Sequence, residues 1–170
     1  MTVSISVLLV DDHAIVRMGF RMLLDTTPDI RVIGEADSGE QALDLYAALR
    51  PDVVVMDLTM PGMGGLEAVK RLLSFDRDAR ILALSAHEDA SHPRRVLKAG
   101  AFGYLSKRGA ADALVNAIHD VHANRIDIDP LVALKLQASA QDSDMTVMER
   151  LSEREFEAFL GLAQIGRAHV

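Results

Sequence analysis

Between Ile5 and about Asn124, short apolar runs alternate with longer segments in which apolar residues recur at helical spacing. The runs Ile5–Val10, Ile30–Ala36, Val53–Asp57, Ile81–Ser85 and Gly103–Ser106 are rich in Val, Ile, Leu or Ala and do not alternate cleanly with polar residues. Each therefore reads as a strand buried on both faces. The helical pattern predicts helices over His13–Leu24, Gly39–Leu49, Gly64–Leu73, Ala90–Ala99 and Ala110–Ala123. Ser38 with Gln41 three residues on forms a capping-box pattern, and Pro28, Pro51 and Gly100 fall in connections, where they end an element without breaking a ladder. Five strand-then-helix units predict an α/β fold, a doubly wound five-stranded parallel sheet with helices on both faces.

After Asn124 the pattern changes. Pro130–Ala140 predicts one further helix, Gln141–Thr146 is polar and turn-rich as a linker is, and a second capping box, Ser152 with Glu155, opens a helix through Gln164. The expected organisation is one domain over residues 1–124, a linker with a helix over 125–148, and the start of another unit over 149–170.

Charge and composition narrow the partners. A net charge of −7 argues against a broadly basic, nucleic-acid-coating surface and points to proteins and small ions. With no cysteine, any metal site must use oxygen or nitrogen ligands, and disulfides and thiol nucleophiles are excluded. The N-terminal apolar run Val7–Val10 stops at Asp11, far short of a signal peptide or membrane span, so a cytoplasmic protein without membrane contact is expected.

In doubly wound sheets functional residues gather at the carboxyl ends of the strands. Asp11 and Asp12 follow the first strand, Asp57 ends the third, Ser85 ends the fourth and Lys107 follows the fifth. If the strand order is 2-1-3-4-5, strands 1 and 3 are neighbours and three carboxylates converge. Two such charges about 4 Å apart repel by roughly 4 kcal/mol at an effective dielectric near 20. A divalent cation offsets this, and hard oxygen ligands without sulfur favour Mg²⁺ or Mn²⁺ over zinc. Lys107 adds a compact positive charge able to hold a phosphoryl oxygen. Phosphoryl transfer needs a positioned nucleophile and cations around the transferred group, and little else. Asp57 is the candidate nucleophile, and Ser85 the hydroxyl that donates to a phosphoryl oxygen.

Each residue alone has a plainer explanation. Asp12 before a helix is ordinarily a cap, Asp57 before Pro61 a turn residue, Ser85 a satisfied strand-end hydroxyl and Tyr104 a half-buried aromatic. His13, His87 and His92 lack convergent spacing and are expected to face solvent. Gly62, Gly64 and Gly65 follow a strand and open a helix, but Glu67 occupies the place of the third glycine of a dinucleotide loop. The functional reading rests on the acids and the lysine taken together.

The run Val7-Leu-Leu-Val-Asp-Asp-His13, the segment Val55-Met-Asp-Leu-Thr-Met-Pro-Gly-Met-Gly-Gly65, the pair Ser85-Ala86 and the run Gly103-Tyr-Leu-Ser-Lys107 closely resemble response-regulator receivers, in order and spacing, over about residues 5–124. The resemblance implies a flavodoxin-like sheet of order 2-1-3-4-5. It implies Asp11 and Asp12 as metal-binding acids, Asp57 as the phosphoacceptor modified to phosphoaspartate, and Lys107 as the phosphate-contacting lysine. It further implies Ser85 and Tyr104 as switch residues and the main-chain carbonyl of Thr59 as a metal ligand. A sensor histidine kinase is the implied donor, and homodimerisation on phosphorylation an implied response. Where the family commonly has proline after the lysine, often with a cis bond, Arg108 stands here, and a cis bond before a non-proline is costly.

The stretch Leu151-Ser-Glu-Arg-Glu-Phe-Glu-Ala-Phe-Leu-Gly-Leu-Ala163 resembles the first helix of a LuxR-type helix-turn-helix, which points to the NarL/FixJ class of transcription regulators. Ile165–Val170 matches neither the turn nor the recognition helix expected next, so DNA binding is expected of a complete parent protein and not of this chain. The expected function is that of a two-component response regulator, which is no enzyme beyond assisting its own phosphorylation and dephosphorylation. Two alternatives differ in kind. A phosphorylation-independent docking module would be expected to lose the acids or the lysine. A metal-dependent phosphatase with an aspartyl-phosphate intermediate needs a general acid two residues past Asp57, where Thr59 stands.

Overall fold

A computed structural model describes residues 4–86, 91–130 and 132–134. The strands are β1 (Ile5–Val10), β2 (Ile30–Ala36), β3 (Val53–Asp57), β4 (Ile81–Ser85), β5 (Gly103–Ser106) and β6 (Asp127–Ile128). The helices are α1 (Ala14–Asp25), α2 (Gly39–Leu49), α3 (Gly65–Phe75), α4 (Ser91–Ala99) and α5 (Ala110–His122), with a 3₁₀ turn over Lys107–Gly109. The strands form one parallel sheet in the order β2-β1-β3-β4-β5-β6.

Strand side chains alternate between two cores. Leu8, Val10, Val54, Met56, Ile81, Ala83 and Tyr104 face one side, packed with Ala42 and Tyr46 of α2, Val69 and Leu72 of α3 and Val96 and Leu97 of α4. Val7, Leu9, Val53, Val55, Leu82, Leu84 and Leu105 face the other, against Leu24 of α1 and Leu114, Ile118 and Val121 of α5. Burial on both faces explains why these strands read as near-continuous apolar runs.

The five expected strands lie where the pattern put them, and a sixth joins them. Asp127–Ile128 belongs to the segment expected as linker, and it pairs with β5 as two further backbone bonds run from Asp127 N–H to Phe102 O at 3.1 Å and from Asp129 N–H to Tyr104 O at 2.9 Å. The approach is close: a Cβ on Gly103 would stand 2.7 Å from Asp127 O. Two residues, one of them an aspartate, are too short to show a strand period. Beyond β6, Pro130 and Val132–Leu134 are helical, and Val132 is buried in the core that contains Tyr104.

Helix ends shift by a residue or two from expectation. The N-cap of α1 is His13, not Asp12, and α3 runs from Gly65 to Phe75. Ser38 caps α2 as expected, its Oγ accepting from Gln41 N–H at 3.1 Å, while Gln41 Oε1 accepts from Asp37 N–H at 2.8 Å. Ala90, His87, the continuation of the helix to Ala140, the linker Gln141–Thr146 and the helix after Ser152 lie outside the described residues. Among the described residues, no helix is long and apolar enough to cross a membrane.

Candidate functional site

Because β1 lies beside β3 and β4 beside β5, the carboxyl ends of these strands bring their terminal polar residues to one edge. Asp57 ends β3 fully buried, and Asp11, just past β1, is 3% exposed. Lys107 opens the turn after β5 and places Nζ 3.1 Å from Asp11 Oδ2 and 3.1 Å from Asp57 Oδ2. The other oxygen of Asp57, Oδ1, accepts from Thr59 N–H at 3.0 Å. One ligand atom from each of Asp11, Asp12, His13 and Asp57 lies within 4.8 Å of all the others.

The pocket is electrostatically unfinished. Among the described residues, Asp11 Oδ2, Asp12 Oδ1 and Asp57 Oδ2 are buried without a hydrogen bond, and two of these three face Lys107 only as ion-pair partners. Burial pushes the Asp57 carboxyl up to about 6, against the lowering pull of the Thr59 N–H; nearby Asp11 raises it further and Lys107 lowers it. Burial also works against the charge of Lys107, but its bonds to Asp57 and Asp11 outweigh this and leave its pKa raised. Carboxylate oxygens without a hydrogen bond among the described residues, gathered around Lys107, fit a hard divalent ion, since such ions are held by oxygen ligands and neutralise the acids around them.

The surrounding chain holds these groups in place. Arg17, one turn into α1, donates from Nη1 to the main-chain oxygen of Asp11 at 2.6 Å and from Nε to Glu35 at 3.1 Å; Glu35 also pairs with Arg21. Behind Asp57, a Cβ on Gly65 would meet Asp57 O at 2.3 Å and Leu58 Cα at 2.5 Å, so only glycine lets α3 start against the end of β3. The Lys107–Arg108 peptide bond is trans, and Ser106 Oγ accepts from Arg108 N–H at 3.3 Å to set the 3₁₀ turn.

The structure thus gathers Asp11, Asp12, Asp57 and Lys107 in one pocket. Ser85 is buried at the end of β4, one residue past the partner of Asp57 in the β3–β4 register. Tyr104 is not in the pocket. It lies fully buried on β5, in the core beneath α4. Thr59 is exposed beside Asp57. Two residues escaped the sequence reading. Arg17 anchors Asp11 from behind, and its only signal was a position four residues past His13, on the turn facing β1. His13 was expected in solvent; its side chain is 59% exposed, yet its ring turns back to the carboxylates. His87 lies outside the described residues, as does the side chain of His92.

With the fold and pocket in view, comparison with known proteins gives one answer. The family model of the response regulator receiver domain matches residues 7–119. Response regulator GacA of Pseudomonas aeruginosa is 39% identical over 161 residues, covering 94% of this chain and 75% of the relative. Response regulator UvrY of Escherichia coli O6:H1 is 40% identical over 158 residues, 92% of this chain and 72% of the relative. Among solved structures, a LuxR-family two-component response regulator from Aurantimonas sp. SI85-9A1 superposes with a TM-score of 0.77 at 38% identity, over 79% of this chain and 96% of that one. The signal receiver domain of the putative response regulator NarL from Mycobacterium tuberculosis gives 0.69 at 34%, over 72% and 99%. The chain belongs to the response-regulator receiver family, and within it to the NarL/FixJ class. It is a two-component response regulator.

Proposed function

We propose that Asp57 is the phosphoacceptor of this receiver and that a sensor histidine kinase is its donor. The observation that carries the reading is the buried Asp57 carboxylate, paired at 3.1 Å with Lys107 and set beside carboxylate oxygens that find no hydrogen-bond donor among the described residues. Asp11, Asp12, Asp57 and the main-chain carbonyl of Thr59 are the groups that would hold Mg²⁺ or Mn²⁺. Such an ion supplies positive charge to the phosphoryl oxygens and cancels the repulsion among the acids. A carboxylate oxygen of Asp57 attacks phosphorus, an O–P bond forms, and the bond from phosphorus to the donor nitrogen breaks with its electron pair left on nitrogen. Lys107 follows the added charge, exchanging part of its contact with Asp57 for a phosphoryl oxygen.

Ser85, at the neighbouring strand end, then donates its hydroxyl to a phosphoryl oxygen. Tyr104, in the same core as Val132, ties that movement to the chain beyond β5. In this reading residues 1–124 are the receiver, with β6 laid on its edge from the linker 125–148, and residues 149–170 begin a LuxR-type helix-turn-helix. In a complete LuxR-type regulator, phosphorylation of the receiver favours homodimers and controls DNA binding and transcription. Exposed Ile15, Met18 and Met22, at helical spacing on the helix that opens beside the pocket, offer a protein donor an apolar seat. The work is signalling in the cytoplasm, with turnover limited to the protein's own phosphoaspartate.

Intact-mass measurement after incubation with acetyl phosphate and Mg²⁺ tests the assignment. One phosphoryl adduct is expected, absent from Asp57→Asn and absent in excess chelator. Full labelling of Asp57→Asn would overturn the acceptor, and an unlabelled wild-type chain would leave a phosphorylation-independent docking module instead.

A further inference from the structure

Helix α1 opens on His13, whose backbone is extended as at an N-cap (φ −89°, ψ 104°) but whose side chain makes no capping bond. The ring points instead toward the acids. Its Nδ1 lies 3.2 Å from Asp11 Oδ1 and 3.1 Å from Asp12 Oδ1. An imidazole nitrogen carries at most one proton, so it can serve one of these oxygens well and not both. Of the two, the Asp11 contact has hydrogen-bond geometry, and Asp12 Oδ1 stays buried without a bond from the described residues.

A cation shared by the three atoms resolves that shortage. Neighbouring ligands on a six-coordinate ion with bonds of about 2.1 Å stand about 3 Å apart. The distances from Nδ1 to the two oxygens are close to that spacing. Lys107 takes the other oxygen of Asp11, Oδ2, so it does not compete for the His13 side of the carboxylate. With its side chain 59% exposed, the ring is not locked by packing and can adjust to an ion at little cost.

We propose that His13 is a nitrogen ligand to the cation of this pocket, and that it turns the pocket's preference away from Mg²⁺ and toward divalent ions that accept imidazole. Mg²⁺ takes oxygen ligands and gives up its waters reluctantly, whereas imidazole suits nickel and zinc, and affinity for nitrogen sites climbs along the first-row series. The inference rests on the reading that the pocket holds a divalent cation. It adds that the same acids accept two classes of ion and that one side chain sets their ratio.

The test uses the untagged full chain. Calorimetric titrations of Ni²⁺ and Mg²⁺, each repeated against a saturating amount of the other, isolate the pocket from histidines elsewhere. His13→Ala and His13→Gln should each lower the pocket's Ni²⁺-to-Mg²⁺ affinity ratio about tenfold, as loss of a metal-site contact does, with Mg²⁺ affinity nearly unchanged. In the wild type, the imidazole nitrogen resonances of His13 should shift on adding Zn²⁺ and not on adding Mg²⁺. An unaltered ratio, or an equal change for both ions as a simple charge effect gives, overturns the role of His13. If neither ion binds the wild type, or if Asp12→Asn with Asp57→Asn leaves both affinities intact, the cation reading itself fails and the His13 role with it.

Discussion

Two carboxyl groups in this molecule, Asp57 in the pocket and Asp127 on the sheet edge, are both pushed up to about 6, and burial is the largest cause for each. Their surroundings answer that pressure differently. At the edge, Asp127 shares a hydrogen bond with Asp120 on α5, which raises the one acid and lowers the other. Arg125 closes the set, donating from Nε and Nη2 to Asp120 Oδ1 at 3.1 and 2.8 Å. In the pocket, Lys107 faces two buried acids, and three oxygens find no hydrogen bond among the described residues. A perturbed carboxyl is therefore not by itself the mark of a site. What separates the two regions is unsatisfied oxygen: the edge closes itself with a shared hydrogen bond and an arginine, while the pocket is left open to an ion and a phosphoryl group.

The contrast breaks most visibly at its cations. Lys107→Ala should slow phosphorylation by acetyl phosphate about 100-fold, the scale of losing one positioned electrostatic group. It should also lower metal-free stability by about 3 kcal/mol, because two buried acids lose the cation they share. Arg125→Ala, at an exposed pair, should cost less than about 1 kcal/mol. Urea denaturation of the two variants checks this, and equal losses would erase the distinction between open and closed clusters.

Next in size is the effect of neutralising the pocket. Asp57→Asn removes a buried charge that folding disfavours, and should raise metal-free stability by about 2 kcal/mol, somewhat less than the full worth of its displaced pKa. Mg²⁺ should then stabilise the wild type and leave Asp57→Asn nearly unaffected. Thermal unfolding with and without Mg²⁺ reads both effects. An effect of similar size and opposite sign, a destabilisation of about 2 kcal/mol, is expected at the edge from Gly103→Val, whose side chain has no room between Leu82 and the Asp127 carbonyl. Amide exchange should show Asp127 and Asp129 losing protection before β1 and β3 do.

The legible and illegible parts of the molecule divide along the same line. Strands β1 to β5 could be read because burial on both faces writes a continuous apolar run, and Asp11, Asp12, Asp57, Ser85 and Lys107 could be placed because each stands where such a run ends. The contribution of β6 could not, since Asp127–Ile128 pairs through backbone groups that any residue carries and is admitted by Gly103, whose role shows only once the strands are adjacent. His13 and Arg17 were missed for a different reason. Their importance depends on which way a side chain leaves the first turn of α1, and residue spacing does not carry that direction. Asp120 and Asp127 give no warning either, because the chain must leave α5 and turn back along β5 before they meet.

The smallest expected effect is the most specific to the edge. Asp127 has a folded-state pKa of about 6 against about 3.9 unfolded. Between those values the folded chain keeps a proton that the unfolded chain has released, so stability from this group is greatest below about pH 4, falls as pH rises to about 6, and is level above that. Asp120 is shifted the other way, so its contribution is present above its unfolded value and is lost as pH falls through its lowered folded pKa. The window from about pH 4 to 6 therefore belongs to Asp127, together with Asp57, which slopes in the same sense. Working in an Asp57→Asn background removes the pocket's share. The remaining decline should be less than about 1 kcal/mol, because the pair is partly solvated. Adding Asp127→Asn should flatten it, since an amide can still donate to Asp120 without holding a titratable proton. Denaturation midpoints of the single and double variants across that range measure the difference. A slope that survives Asp127→Asn would mean the edge acids do not share a proton, and the two clusters would no longer differ in how they resolve their charge.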